Sequence, residues 1–317
     1  MKPRPAPLPA GLQFLQRDWL SSNQVLLFDD DGGERRATLV DAGYVKHAAF
    51  TVALVRRALQ QRGMSDRQLP DLLNTHLHSD HCGGNAALRH AFGCRVRVPQ
   101  AEFEAVRRWD EDALTFRATG QRCARFAADD VLQPGEALTL GGTQWRVLAA
   151  PGHDPHSLIL HCPEHRVLMS ADALWENGFG VIFPELEGES GFDEQRAILE
   201  RIESFAPRLV IPGHGAPFTD VGAALARARA RLDALSASLE RNARHAAKVL
   251  VKFYLLEVRK VALRDLVAHV AGARYFRVIN ERYFRMPFED FVRQQVTELA
   301  ASGAAVIDGD TVLDSGG

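Results

Sequence analysis

Residues 75–84 read Thr-His-Leu-His-Ser-Asp-His-Cys-Gly-Gly, with three histidines and one carboxylate inside six consecutive positions. Imidazole and carboxylate together form ligand sets for zinc, manganese or iron. Side chains alternate along an extended segment, so His76 and His78 share one face. Asp80 and His81 follow where the chain turns into a helix, and there they reach a second position nearby. Consecutive residues cannot all converge on one ion, so two ions are the natural reading. Gly83 and Gly84 permit tight backbone geometry at that turn. With only 12 histidines in 317 residues, such a cluster does not read as an ordinary solvated loop.

Two further histidines follow apolar runs through the same tripeptide, Pro151-Gly152-His153 and Pro212-Gly213-His214. Between them, Asp172 ends the apolar run 167–171. Ligands gathered at strand ends on one sheet edge are where α/β folds place their sites. His156, three residues past His153, reads either as a partner that steadies the site or as a surface-loop histidine.

The elements that would carry these residues are legible from periodicity. Runs 12–19, 24–28 and 37–40 read as strands, with turn chemistry at Asp29-Asp30-Asp31-Gly32-Gly33. Helical spacing covers 50–61, then a short strand at 71–74 leads into the histidine cluster. Residues 86–92 and 101–109 read as helices around an extended 94–98. Strands are predicted at 144–149, 158–160, 167–170 and 209–211, and a helix at 192–205. Strands and helices thus alternate over about the first 220 residues, which predicts an α/β domain over 1–220. The remainder, 221–317, reads as a long helix at 221–241, helices at 246–258, 263–270 and 288–301, and a hairpin about Asp308-Gly309-Asp310.

Composition narrows the class. The formal net charge is −2, from 38 Lys+Arg and 40 Asp+Glu, so the chain is not a generally basic nucleic-acid binder. That total conceals about −6 on residues 1–220 and +4 on 221–317. Hydrophobic residues make up 46%, enough for a sizeable core without disulfide staples. The four cysteines lack CxxC spacing, which points to a reducing, cytoplasmic setting. No window is apolar enough for a membrane helix. Prolines interrupt the N-terminal MKPRPAPLPAGLQF, which reads as a leader before the first strand and not as a secretory segment.

The combination of HxHxDH at 76–81, a later Pro-Gly-His, an aspartate and a final Pro-Gly-His resembles the metallo-β-lactamase fold superfamily over roughly residues 12–220. That resemblance implies an αββα sandwich. It implies one metal held by His76, His78 and His153, a second held by Asp80, His81 and His214, and Asp172 bridging both. Asp41, in Leu39-Val40-Asp41-Ala42-Gly43, matches the family's supporting aspartate. Two departures stand out: Ala171 where the family often has glycine, and Cys82 where an apolar residue is usual. The absence of a cysteine ligand points to the glyoxalase II-like and lactonase-like branches. The implied cofactors are two divalent ions, zinc first, with iron or manganese as alternatives. The implied activity is hydrolysis of an ester, thioester or lactone by a metal-bridging hydroxide, with Asp80 orienting it and carrying a proton.

Trp175, Phe179 and Phe183 follow the bridging aspartate and read either as an apolar substrate wall or as a loop packed on the core. No dense Arg/Lys cluster lies nearby, so a neutral or singly charged small molecule is expected ahead of a polyanion. The tail looks like the winged-helix appendage of the β-lactamase-like 2 group, a branch that includes ribonucleases. Arg274, Arg277, Arg282 and Arg285, interleaved with Tyr275, Phe276, Tyr283 and Phe284, are the one basic-aromatic cluster. They suit single-stranded nucleic acid, or serve as core with solvated arginines. A homodimer interface is a further use for the tail. The competing activities are a metal-dependent ribonuclease and a mononuclear iron persulfide dioxygenase; the intact second ligand set argues against the dioxygenase.

Overall fold

The computed structural model describes residues 8–316, so the first seven residues of the expected leader lie outside the described residues. The first half comprises β1 (Leu12–Leu15), β2 (Gln24–Asp31), β3 (Glu34–Val40), α1 (Ala48–Gln61), β4 (Asp71–Leu73), α2 (Ser79–Cys82) and α3 (Asn85–Phe92). It continues with β5 (Arg95–Pro99), α4 (Phe103–Arg108), α5 (Phe116–Thr119) and β6 (Asp130–Leu132). These six strands form one sheet in chain order, antiparallel from β1 to β3 and parallel from β3 to β6. The β2–β3 turn is shorter than the aspartate run suggests. It is made by Gly32 and Gly33 alone, both at positive φ, as a two-residue hairpin requires.

The second half comprises β7 (Ala137–Leu140), β8 (Thr143–Ala149), β9 (Leu158–Cys162), β10 (Val167–Ala171), α6 (Pro184–Glu187), α7 (Phe192–Phe205) and β11 (Leu209–Pro212). Its sheet runs β11-β10-β9-β8-β7, with only β10 and β11 parallel.

Strand alternation sorts the apolar residues into layers. Val25, Leu27, Val40 and Leu73 of the first sheet meet Val147, Leu160, Met169 and Ile211 of the second. The opposite faces are covered by helices. Leu26, Leu39 and Leu72 pack on Val55 and Leu59 of α1 and Leu88 of α3. Ile159, Leu168 and Val210 pack on Ile198, Leu199 and Ile202 of α7. The result is the expected αββα sandwich, in which each fully buried Leu, Ile or Val contributes roughly 1.5–3 kcal/mol.

The helical C-terminal part comprises α8 (Val221–Ser236), α9 (Leu239–Val258), β12 (Lys260–Ala262), α10 (Leu263–Gly272), α11 (Arg274–Ile279), α12 (Phe288–Ala301), β13 (Ala305–Asp308) and β14 (Thr311–Asp314). The helix expected over 221–241 is two helices. Ser238 leaves helical geometry and caps α9, accepting a hydrogen bond from the Arg241 backbone N–H. Helix α8 lies beyond residue 220, yet Leu225, Ala228 and Leu232 belong to the sandwich's outer layer. From α9 onward the helices share a separate core that also takes in Val181, Phe183 and Leu186.

The strand β12 has no counterpart in the sequence reading; it is three residues long and pairs with β14, which also pairs β13. Tyr275 and Phe276 are buried in the C-terminal core, and Tyr283 and Phe284 pack against it. Arg274 pairs with Glu187, and Arg282 donates to the Leu186 carbonyl at 3.1 Å. The basic-aromatic cluster is therefore a packing element, and its buried rings are not free to stack on bases. Among the described residues no helix is long and apolar enough to cross a membrane.

Candidate metal centre

All seven expected ligands come from loops and helix starts at one edge of the sandwich. His76 and His78 follow β4, Asp80 and His81 lie in α2, His153 follows β8, Asp172 follows β10 and His214 follows β11. The loops are tied together by backbone. Ala42 N–H donates to the His81 carbonyl, Ser22 N–H to the Asp80 carbonyl and Asn23 N–H to the Gly213 carbonyl. The Asn23 side-chain amide also donates to the Pro212 and Gly215 carbonyls, at 3.0 and 2.8 Å, so both sides of the His214 turn are fixed.

The side chains converge as two groups, His76 with His78 and His153, and Asp80 with His81, Asp172 and His214. The ligand atoms within each group lie within 4.8 Å of one another. Asp172 faces both. Its Oδ1 is 3.3 Å from His81 Nε2, and its Oδ2 is 3.6 Å from His153 Nε2 and 3.8 Å from His214 Nε2. Asp80 Oδ2 accepts from His214 Nε2 at 3.0 Å.

The surroundings set the ring orientations. His81 Nδ1 donates to Asp41 Oδ2 at 2.8 Å, which turns its Nε2 towards Asp172 and the centre of the second group. Asp41 also accepts from the Thr75 backbone N–H and hydroxyl, at 2.9 and 2.8 Å. His153 Nδ1 donates to the Val181 carbonyl, which again frees Nε2. The Nε2 atoms of His76, His81 and His153 are buried and have no hydrogen-bond partner. Three orphaned, preoriented imidazole nitrogens beside two carboxylates are what a bound cation satisfies.

Electrostatics agree. Burial lowers His76 well below the ordinary imidazole range, with neighbouring His81 and His78 adding to the effect. Burial, opposed by Asp80 and Asp172, pulls His78 down to about 4, and burial together with His78 does the same for His153. These rings stay neutral and keep lone pairs for a metal. In the second group burial disfavours charge on His81, but Asp172, Asp41 and Asp80 outweigh it and push its pKa well above the usual value. Burial would raise Asp172, yet His81 and His214 hold it well below the carboxylate range. The carboxylates around His81 thus call for positive charge at that position.

Close packing leaves two glycines no room for a side chain. A Cβ on Gly180 would enter the His153 ring, and one on Gly213 would collide with Asp172 Oδ1 and approach His81 Cε1 at 3.0 Å. Ala171 and Asp41 sit at φ +44° and +61°. The first value is the physical reason a glycine would suit that position, and the alanine there carries αL strain of order 1–2 kcal/mol.

Trp175, Phe179 and Phe183 all line a cavity of about 210 Å³ at the two ligand groups. Trp175 Nε1 also donates to Asp172 Oδ1 at 3.2 Å, and Phe183 meets the His78 ring edge-on at 5.8 Å. His156 is exposed and only its backbone N–H reaches the site region, donating to Asp154 Oδ1. The neighbour that does face a ligand is the buried Asp154, whose Oδ2 is 3.5 Å from His78 Nε2. Cys82 is fully buried, and burial raises its thiol pKa well above normal, as fits a small apolar filler.

Three groups of wall residues are absent from the sequence reading. Trp19 stacks on His214 with ring centroids 4.3 Å apart. Gln121 enters from the loop after α5, and Arg231, His245, Val249 and Phe253 enter from α8 and α9. None carries a local signal. Their place is set by α9 crossing the site edge, where Tyr44 Oη donates to Glu257 Oε2 at 2.7 Å.

The family model described as the metallo-beta-lactamase superfamily matches residues 17–214. A hydroxyacylglutathione hydrolase from Bdellovibrio bacteriovorus is 27% identical over 189 residues, 60% of this chain and 61% of that protein. This chain therefore matches about three fifths of the length of such relatives. The acyl-coenzyme A thioesterase MBLAC2 of Gallus gallus is 30% identical over 224 residues, 66% of this chain and 79% of that protein. Among solved structures, a beta-lactamase domain protein from Burkholderia ambifaria superposes with a TM-score of 0.57 at 21% identity, over 97% of this chain and 96% of that one. That likeness of fold spans the helical C-terminal part as well as the sandwich.

Proposed function

This chain belongs to the metallo-beta-lactamase superfamily, and from that premise we propose that it is a binuclear metal-dependent hydrolase of thioesters, with related esters and lactones as secondary substrates. The carrying observation is the orphaned Nε2 atoms of His76, His81 and His153 around a carboxylate that faces both ligand groups. His76, His78 and His153 would hold one divalent ion, Asp80, His81 and His214 the other, with Asp172 shared. Zinc is the first expectation for this donor set, with iron and manganese compatible. Such ions polarise a carbonyl oxygen and lower the pKa of water towards neutrality.

The chain's own residues do the rest. Asp41 fixes the His81 tautomer and the Val181 carbonyl fixes that of His153. Trp175 holds one oxygen of Asp172. Asp80 has a second carboxylate oxygen beyond the one that meets His214, and this oxygen is the group we assign to orient water and carry a proton. Phe179 and Phe183 exclude water from the reacting carbonyl. We assign catalysis to residues 1–220, with 221–317 as an appended helical unit that closes one wall of the site. Thioesters are placed first because two kinds of relative are named as thioester-cleaving enzymes.

The test combines metal analysis with a panel of thioesters, lactones, β-lactams and short RNA. About two metals per chain and thioester turnover abolished in Asp80→Ala and His214→Ala are expected. One metal per chain, or RNA cleavage with no ester turnover, refutes the assignment.

A further inference from the structure

Among the described residues Arg231 is the one arginine or lysine that lines the cavity at the ligand groups. It is half-buried, and among the described residues it forms no ion pair with a carboxylate. Its placement is built by three contacts. One Nη2 hydrogen goes to His245 Nε2 at 2.8 Å. The guanidinium lies 4.9 Å over the Phe179 ring. Gly178 has no Cβ, and one built there would sit 2.5 Å from Arg231 Nη1. Burial and the neighbouring Arg231 and Lys248 pull His245 down to about 4, so it accepts as a neutral ring and leaves the arginine's charge uncompensated. Even a partly buried cation is destabilised without a counter-charge, and an anionic ligand would supply one.

The adjoining surface limits what that ligand carries. A second cavity of about 280 Å³ shares Trp19, His245, Val249 and Phe253 with the first. Its two lysines each already meet a carboxylate, Lys248 at Glu298, which Arg244 shares, and Lys252 at Asp314, which Arg259 shares. Among the described residues Arg231 is therefore the one cation of these two cavities that meets no carboxylate, and it stands alone at the metal-facing end. That suits a carboxylate, whose planar pair of oxygens matches the guanidinium fork, better than a phosphate dianion.

Resting on the thioesterase reading, we propose that Arg231 is an anion subsite that binds a single carboxylate carried by the substrate, either on the acyl group or on the thiol. His245 and Gly178 are its positioning residues.

The test uses the metal-loaded full chain and three thioesters: S-butyryl-N-acetylcysteamine, which is neutral, S-butyryl-N-acetylcysteine, with the carboxylate on the thiol, and S-succinyl-N-acetylcysteamine, with it on the acyl group. In Arg231→Met the ratio of kcat/KM for one charged substrate to that for the neutral one is expected to fall by about tenfold to a hundredfold, chiefly through KM. Arg231→Lys should keep an intermediate ratio. Whichever charged substrate responds identifies the side that carries the carboxylate. Equal losses on charged and neutral substrates overturn the proposal. Arg231→Gln keeps a polar partner for His245 and takes the place of the methionine variant if that one does not fold.

Thioether analogues of the same compounds, with CH2 in place of the carbonyl, are titrated by the fluorescence of Trp19 and Trp175. This arm needs no turnover. If the wild type hydrolyses no thioester, the function reading fails by itself, while charge-selective binding lost in Arg231→Met still supports the subsite. Binding that ignores the carboxylate overturns it.

Discussion

Asp41→Asn should separate the two candidate ligand groups, because Asp41 directly touches only one of them. The carboxylate accepts three hydrogen bonds, from His81 Nδ1 and from the Thr75 backbone N–H and hydroxyl, all within 2.9 Å. Asparagine has nearly the same shape and tolerates the αL backbone at φ +61°, so the change is mainly one of charge and hydrogen-bond polarity. One oxygen can still accept from Thr75. The amide NH2 that replaces the other presents hydrogens to a ring nitrogen that already carries one. The conflict is relieved when the His81 proton moves to Nε2, the nitrogen that faces Asp172, and its lone pair is then lost as a ligand.

Outer-shell changes of this kind cost about tenfold to a hundredfold in metal affinity, or roughly 1.4–2.7 kcal/mol. His153 has its own support in the Val181 carbonyl, and His76 is reached from Asp41 only at second hand, through the Thr75 hydroxyl, so the first group should be much less affected. The assay is equilibrium dialysis against buffers of graded free zinc, with bound metal counted per chain. Binding in the variant should keep its first step and move its second to tenfold or greater free zinc. Two steps that move together, or neither moving, would refute the separation of roles.

Gly213→Ala should cost about tenfold to a hundredfold in metal affinity, because its Cβ would displace the Asp172 carboxylate and crowd His81; unchanged stoichiometry at limiting zinc would count against the packing argument. Chelation of the bound metals should lower the thermal midpoint by about 5–10 °C, since ligands at a thousand times their Kd stabilise by about 4 kcal/mol; a midpoint indifferent to chelator would disconnect the site from folding. His245 has a folded pKa of about 4, depressed from an unfolded value near 6.5. The unfolded chain therefore takes up this proton first as pH falls, and stability is lost from about pH 6.5 down towards 4. Between pH 7 and pH 5 this one group should remove about 2 kcal/mol. His245→Gln should flatten that portion of the stability–pH curve measured by denaturant unfolding, and parallel curves would show that His245 is not the source.

What the sequence disclosed follows from the physics of each feature. The candidate ligands were legible because histidines, carboxylates and glycines at short spacings are improbable together and because each stands at or just past the end of an apolar run that reads as a strand. Asp41 was legible only through the family resemblance, since one aspartate at the end of β3 carries no signal by itself. The sandwich layers were legible because Val25, Leu26, Leu27 and Phe28 alternate between two hydrophobic layers. The far wall was not. Arg231 and His245 lie 14 positions apart on two helices, and only the break at Ser238 folds α9 back so that the pair can meet. Read as one continuous helix, 221–241 would carry no such meeting point. The basic-aromatic run at 274–285 shows the converse. It has the composition of a nucleic-acid surface, yet its aromatics find a core and two of its arginines reach Glu187 and the Leu186 carbonyl across the fold. The cation that matters at the cavity is therefore the solitary one. It was hidden among regularly spaced arginines on α8, where Arg229 meets Glu203 on the surface and Arg231, two positions on, meets no carboxylate. Charge counted along the chain misses this difference, because the free energy of a charge depends on burial and on the partner it is denied.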